Sequence, residues 1–286
     1  MHEALYLYYP LYDTICMEIK EIVSNIIKFD KINKIKYICS FLDVLHLDYK
    51  VHTYRKKITN IEVIKKGDAD CDDIIFLAHY DISQKTVEGA NDNASSVAVL
   101  LKICTVLHTL SAKSTIRIVF NDNEELLGAL NGYGYDREFI SKIIANVGSY
   151  QYLKNYYDIK KIKHCIILEL CGIGDSVFIA EKSGGAPTDE LLNAKLHTIG
   201  NTTNINTFSI EIPSTDMVSV NFFNVSGSVI GAIPYYQAKN YKESHDKRNQ
   251  PGVWSNIHST RDNLFAINHR ALDMCYRFVL KIINDS

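Results

Sequence analysis

Apolar residues recur at helical spacing between positions 13 and 29, at Ile15, Ile19, Ile22, Val23, Ile26 and Ile27, and predict a helix there. A second helix is predicted over 32–45. The pattern then turns to β-rich stretches, with strands predicted over 49–54 and 61–64. Residues 74–78 (IIFLA) form a short continuous apolar run, the signature of a strand buried on both faces. The helical period returns over 94–110, where Val97, Leu100, Leu101, Cys104 and Leu107 share one side. Residues 114–120 (STIRIVF) read as a strand that ends in the polar cluster Asn121-Asp122-Asn123-Glu124-Glu125. A strand over 164–170, a helix over 188–200, an apolar run over 225–232 and a helix over 266–283 complete the series. There is no internal repeat, low-complexity run or linker. The chain, 1–286, therefore reads as one domain with a helical lead-in over about 1–47.

Strands that alternate with long helices predict an α/β protein, with helices on both faces of a largely parallel sheet. Such sheets carry their sites just beyond the C-terminal ends of the strands. The polar clusters of this chain fall in those places.

Composition narrows the function classes. With 286 residues, 47% of them hydrophobic, the chain can bury one large core. A net charge of −2 lacks the basic excess of a nucleic-acid binder. No apolar run approaches the ~20 residues that span a bilayer, and the N-terminal residues lack the pattern of a secretory signal. The seven cysteines include no CxxC pair and fit a reducing, cytoplasmic setting.

Five segments carry candidate chemistry. His79 follows IIFLA, and Asp81 lies two residues on, along the same side of an extended chain. A carboxylate there can accept the second imidazole N–H of a metal-bound histidine; a solvated histidine has the same local sequence. Asp92 lies in Gly89-Ala90-Asn91-Asp92-Asn93-Ala94-Ser95, a composition that equally suits a helix N-cap. Glu124 and Glu125 are adjacent acids at a strand end, where like charges raise each other's pKa unless a cation intervenes. One could bind metal while the other acts as a general base; a solvated acidic turn is the alternative. Glu169 lies within the apolar run IILEL and must be paired or coordinated. His258 lies in Ile257-His258-Ser259-Thr260-Arg261-Asp262-Asn263, where Asp262 could orient it or cap a helix. Two histidines and three carboxylates suit Zn²⁺. His245, in the polar loop 237–256, is a competing histidine, but its sequence context is weaker. His2, His46, His52 and His108 read as structural or solvated.

As an ordered set, AHYD at 78–81, GANDNASSVAVLL at 89–101, VFNDNEELLGALNG at 119–132, LELCG at 168–172, STD at 214–216 and IHSTRDN at 257–263 resemble the co-catalytic zinc aminopeptidase family. That family also contains glutamate carboxypeptidase and the glutaminyl cyclases. The resemblance implies a three-layer α/β/α zinc-peptidase fold of the phosphorylase/hydrolase-like type, with a mixed, mostly parallel central sheet. It implies two Zn²⁺ ions, one held by His79, Asp92 and Glu169, the other by Asp92, Glu125 and His258. Asp92 would bridge, with a cis Asp92–Asn93 bond, Asp81 would orient His79, and Glu124 would be the general base. The implied substrates are peptides with a free N-terminus.

Some positions depart from the family pattern. Glu169 stands where an aspartate is frequent, Asn91 replaces a frequent aspartate and Ser96 a frequent glycine. Met217 follows Asp216 where a histidine is usual. None of these removes an implied ligand. A carboxypeptidase-like or dipeptidase activity, a glutaminyl cyclase and a non-catalytic binding module are the alternatives on this scaffold. Trp254 is the one tryptophan, whereas cyclases have a tryptophan-rich pocket.

Overall fold

The computed structural model describes residues 11–68, 71–130, 137–244 and 250–286. Its helices α1 (Leu11–Cys16) and α2 (Ile19–Ile26) replace the single helix expected over 13–29. Glu18 between them is extended, with φ −67° and ψ 144°, and so starts a new helix. That break lets Ile19, Ile22, Val23 and Ile26 all face the core. Helix α3 (Lys31–Val44) begins at Asp30, whose carboxylate accepts the Asn33 amide as an N-cap.

The chain continues through β1 (Tyr49–Tyr54), β2 (Ile58–Lys65), β3 (Asp73–His79), α4 (Ser95–Cys104), β4 (Thr115–Asn121), α5 (Arg137–Ile144) and α6 (Gly148–Lys154). Then follow β5 (Ile162–Leu168), β6 (Ser176–Ser183), β7 (Ala186–Pro187), α7 (Glu190–Thr203), β8 (Thr207–Ile212) and α8 (Met217–Phe222). Strand β9 (Gly227–Ile233) and helices α9 (Tyr235–Glu243) and α10 (His269–Asn284) close the series. The helix expected over 94–110 stops at Cys104, and a short 3-10 turn, Leu107–Thr109, follows it.

The strands form one mixed sheet in the order β1-β2-β4-β3-β5-β9-β6-β7, with β8 also paired to β6. Its centre is parallel, β3 with β4 and with β5, and β5 with β9. Antiparallel pairs lie at the flanks, β1 with β2, β2 with β4, and β6 with β9. Strand β3 is buried at every position, as a central strand covered on both faces must be.

Side-chain alternation along the central strands divides the core into two layers. Ile74, Phe76 and Ala78 of β3 and Ile166 and Leu168 of β5 face a cluster built with residues of α2, α3, α4, α7 and α10. Ile75 and Leu77, with Cys165 and Ile167, face the other side, where Tyr152 of α6, Met217 and Val220 of α8, and Ala238 and Tyr241 of α9 pack. The architecture is the α/β sheet with helices on both faces that the pattern predicted.

One close approach bears on the site. A Cβ at Gly231 on β9 would lie 1.7 Å from the Glu169 carbonyl oxygen and 2.6 Å from the Phe178 ring. Only glycine lets β9 run this near the end of β5.

Candidate metal centre

Each candidate side chain leaves a strand end or an adjoining loop. His79 is the last residue of β3, at the C-terminal edge of the parallel centre. After β3 the chain turns at Gly89, with φ 63°, where a Cβ would crowd Ile82 and the Asp92 carbonyl. A short π-helical turn, Ala90–Ala94, then presents Asp92 and leads into α4; the Asp92–Asn93 bond is cis. Glu124 and Glu125 open a 3-10 helix, Glu124–Leu130, just past β4. Glu169 directly follows β5, and Leu170, with φ 56°, turns the chain away. His258 arrives from the loop between α9 and α10.

These elements bring five groups together. His79 Nε2 lies 3.3 Å from Asp92 Oδ1 and 3.6 Å from Glu169 Oε2. His258 Nε2 lies 3.2 Å from Asp92 Oδ2 and 2.8 Å from Glu125 Oε2. The two oxygens of Asp92 therefore serve two separate groups. His79, Asp92 and Glu169 each offer a donor atom within 4.8 Å of the others, and so do Asp92, Glu125 and His258. Glu124 stands beside the first group, its Oε2 3.7 Å from His79 Nε2.

The electrostatics show a site short of positive charge. Burial pushes the Glu124 carboxyl well above its ordinary value; His79 opposes this, and Glu169, Asp216 and Glu125 add to it. Burial likewise lifts Glu169 to about 7 against the pull of His79. Burial works to raise Asp92 too, but His258 and His79 outweigh it and hold it low. Hydrogen bonds with Asp92 and Glu125 lift His258 to about 10. His79 is buried, which disfavours its charged form, yet Glu169 and Glu124 raise its pKa well above normal. Both imidazoles thus sit where a cation is favoured. A metal ion takes that place by displacing the proton.

Four buried atoms of the group have no hydrogen-bond partner among the described residues: both ring nitrogens of His79, Glu125 Oε1 and Glu169 Oε1. Buried polar atoms are normally satisfied, so this concentration marks atoms suited to ligation. The donors are imidazole and carboxylate, the chemistry that suits zinc.

The surrounding residues fix this arrangement. Asp81 Oδ1 lies 3.4 Å from His79 Nδ1, and the Asp81 carboxylate also accepts the amides of Glu124 and Glu125. Asp81 thereby ties the ends of β3 and β4 together. Asp262 takes a role different from the two expected of it. It accepts the backbone amides of Asn91 at 2.6 Å and Asp92 at 3.1 Å, holding the turn that presents Asp92. Asn91 Oδ1 accepts the Gly172 amide, and Asn93 bridges the carbonyl of Leu168 and the amide of Leu170. Asp216 is fully buried and accepts hydrogen bonds from Asn121 and Ser149.

Lys34 joins the site from α3 without any motif of its own. It is 3% exposed, and its ammonium donates to the Tyr80 carbonyl at 3.2 Å. Burial draws its pKa down to about 8, against Asp81, Asp262, Glu125 and Asp92. Its signal was a lysine at helical spacing with the buried Ile38 and Phe41. His245 and His2 lie outside the described residues.

A cavity of about 230 Å³ is lined by Asp92, Glu124, Glu125, Glu169 and His258, and by the apolar side chains Leu170, Phe178, Ile212, Pro213, Trp254 and Ile257.

Comparison with known proteins places the sequence in a family. Residues 60–283 match the sequence profile of peptidase family M28. The chain belongs to peptidase family M28. No curated protein matches it in sequence. Among solved structures, a zinc aminopeptidase from Bacillus subtilis superposes with a TM-score of 0.57 at 18% identity, over 79% of this chain and 49% of that one. The M28 chain described here thus spans about half the length of that enzyme. A glutaminyl cyclase from Porphyromonas gingivalis superposes with a TM-score of 0.66 at 17% identity, over 94% and 97% of the two chains. A leucine aminopeptidase precursor from Bacteroides thetaiotaomicron gives 0.67 at 18%, over 94% and 96%. At these identities the likeness establishes the zinc-peptidase fold.

Proposed function

We propose that this M28 chain is a zinc-dependent exopeptidase, an aminopeptidase that removes N-terminal residues from peptides. The observation that carries the reading is the pair of donor sets, His79–Asp92–Glu169 and Asp92–Glu125–His258, which share Asp92. These five residues would hold two zinc ions. Bound there, zinc supplies Lewis-acid polarisation of the scissile carbonyl and acidifies a water.

The remaining chemistry belongs to side chains. Glu124 belongs to neither donor set and is buried beside the first, its Oε2 3.7 Å from His79 Nε2. It acts as general base on the attacking water and returns the proton to the departing amine. Burial raises its pKa above that of an ordinary carboxylate, which suits a group that must hold a proton between taking it and giving it up. Asp81 orients His79, and Asp262 fixes the Asp92 turn. The surplus of carboxylate attracts the ammonium of a free N-terminus. The apolar wall at Leu170, Phe178, Ile212 and Trp254 takes the first side chain.

The same reading treats the chain as one domain, because the N-terminal helices share a core with α10. Seven free thiols suit a cytoplasmic setting. No helix of the described residues is long and apolar enough to cross a membrane, and peptides, not nucleic acid, are the proposed partners.

A second reading, glutaminyl cyclase, draws support from the nearly full-length likeness to the P. gingivalis enzyme. The test is a pair of assays on zinc-loaded protein. Release of leucine from a leucyl chromogenic substrate is expected. Cyclisation of N-terminal glutamine without leucine release would replace the aminopeptidase reading with the cyclase.

A further inference from the structure

The two donor sets are held in different ways. His79, Asp92 and Glu169 come from strand ends and from the turn before α4, and all three are buried, at 1, 7 and 5% exposure. His258 completes the second set from a loop, with its side chain 42% exposed. Its backbone is left-handed, at φ 56°, a conformation that a residue with a Cβ keeps where its surroundings impose it. The place of His258, and with it the second set, therefore depends on what fastens the loop.

The loop is anchored in the core at its two ends, by Trp254 and by Ile267. Between those anchors two carboxylates bind it to the segment that carries Asp92, and they do so in opposite directions. Asp262 reaches out from the loop and accepts the amides of Asn91 and Asp92. Glu88 reaches back from the other side, and its Oε2 accepts the Leu264 amide at 2.8 Å. Glu88 is half-buried and stands next to Gly89, where only glycine fits between Ile82 and the Asp92 carbonyl. Its carboxylate thus issues from a tightly packed turn.

The two bonds act on different things. Asp262 holds the backbone of Asp92, which belongs to both donor sets. Glu88 belongs to neither set, and its bond fixes the loop. The Asp92 turn has further fastenings, from Asn91 to Gly172 and from Asn93 to Leu168 and Leu170, so loss of the Glu88 bond falls on the loop and not on the turn. We propose that Glu88 is a positioning residue for the second donor set alone: by latching the loop at Leu264 it keeps His258 beside Asp92 and Glu125, and so sets how tightly that set holds its zinc ion. This rests on the two-zinc reading.

The test is competition between a zinc chelator and the zinc-loaded chain, reading the affinity of each ion in wild type, Glu88→Ala and Glu88→Gln. Glu88→Ala is expected to weaken one ion by about ten-fold and to leave the other unchanged. Glu88→Gln keeps an oxygen that can accept the Leu264 amide, and is expected to restore the wild-type affinity. His258→Ala identifies the ion. It leaves the first donor set intact, and adding Glu88→Ala in that background is expected to have no further effect. A merely structural role would weaken both ions and would persist in the His258→Ala background. Unchanged affinities in Glu88→Ala overturn the latch, and so does an equal loss of both ions or an effect that survives His258→Ala. A Glu88→Gln variant as weak as Glu88→Ala also overturns it, because the charge and not the bond would then be the cause. A wild type that binds fewer than two zinc ions overturns the two-zinc reading, and the latch with it.

Discussion

Glu62 offers a test of what holds β4, and hence the Glu124–Glu125 turn, in place. It sits on β2 with its side chain 4% exposed. Arg117 of β4 donates to Oε1 at 2.7 Å and Tyr152 of α6 donates to the same oxygen at 2.6 Å. His52 of β1 completes the set at 2.9 Å from Oε2. Burial by itself would raise the carboxyl pKa, but His52, Tyr152 and Arg117 outweigh it and hold it at about 2, below its ordinary 4.5. At ~1.4 kcal/mol per pH unit, that depression makes the ionised form worth about 3 kcal/mol to the fold. The sign follows from the lowered pKa. The stabilisation is complete above the unfolded-state value near 4.5, declines as pH falls, and is gone below about 2. Glu62→Gln should therefore cost about 3 kcal/mol at pH 7 in urea unfolding. By pH 3 the gap between wild type and variant should shrink to about half or less. Taking the difference between the two proteins cancels the titration of the other carboxylates. A gap that stays constant from pH 7 to pH 3 would refute the argument, because the carboxylate's charge would then not be what stabilises.

Three further outcomes follow from the site. The two donor sets come together only in the folded chain, so zinc at a thousand-fold excess over its Kd should add up to ~4 kcal/mol to stability; a melting temperature indifferent to chelator would count against a built site. Asp262→Ala frees the amides of Asn91 and Asp92 and should weaken zinc binding by ~10–100-fold in competition titrations, while unchanged affinity would remove Asp262 from the site. Gly231→Ala drives a Cβ against the Glu169 carbonyl and should cost ~1–3 kcal/mol in unfolding; an equally stable variant would show that β9 can move away.

Much of this was legible in the sequence because a buried parallel strand writes its burial into a continuous apolar run. Strand β3 reads IIFLAH and could be placed to within a residue, so His79 fell at a strand end. The same holds for β4 and the two glutamates behind it. The ordered motifs, more than any single cluster, pointed to M28. Other features depended on contacts across long stretches of chain. Strands β6 and β8 went unpredicted, and the pairing of β9 between β5 and β6 is set by tertiary packing. The break at Glu18 interrupts an unbroken apolar period. Asp262 bonds to backbone amides 171 and 170 residues away, which no local pattern encodes. Lys34 carried a signal, a charge on an apolar helical stripe, but its consequence depends on the carboxylates that the fold gathers around it.

In the proposed reaction, two zinc ions and Glu124 together cleave the peptide bond. Zinc content per chain, measured beside leucyl-substrate turnover for wild type and Glu124→Gln, tests it most directly. Close to two zinc ions are expected in both proteins, with a loss of turnover of ~100-fold or more in the variant. A wild type fully active with one zinc ion or none, or a Glu124→Gln variant that turns over normally, would contradict it.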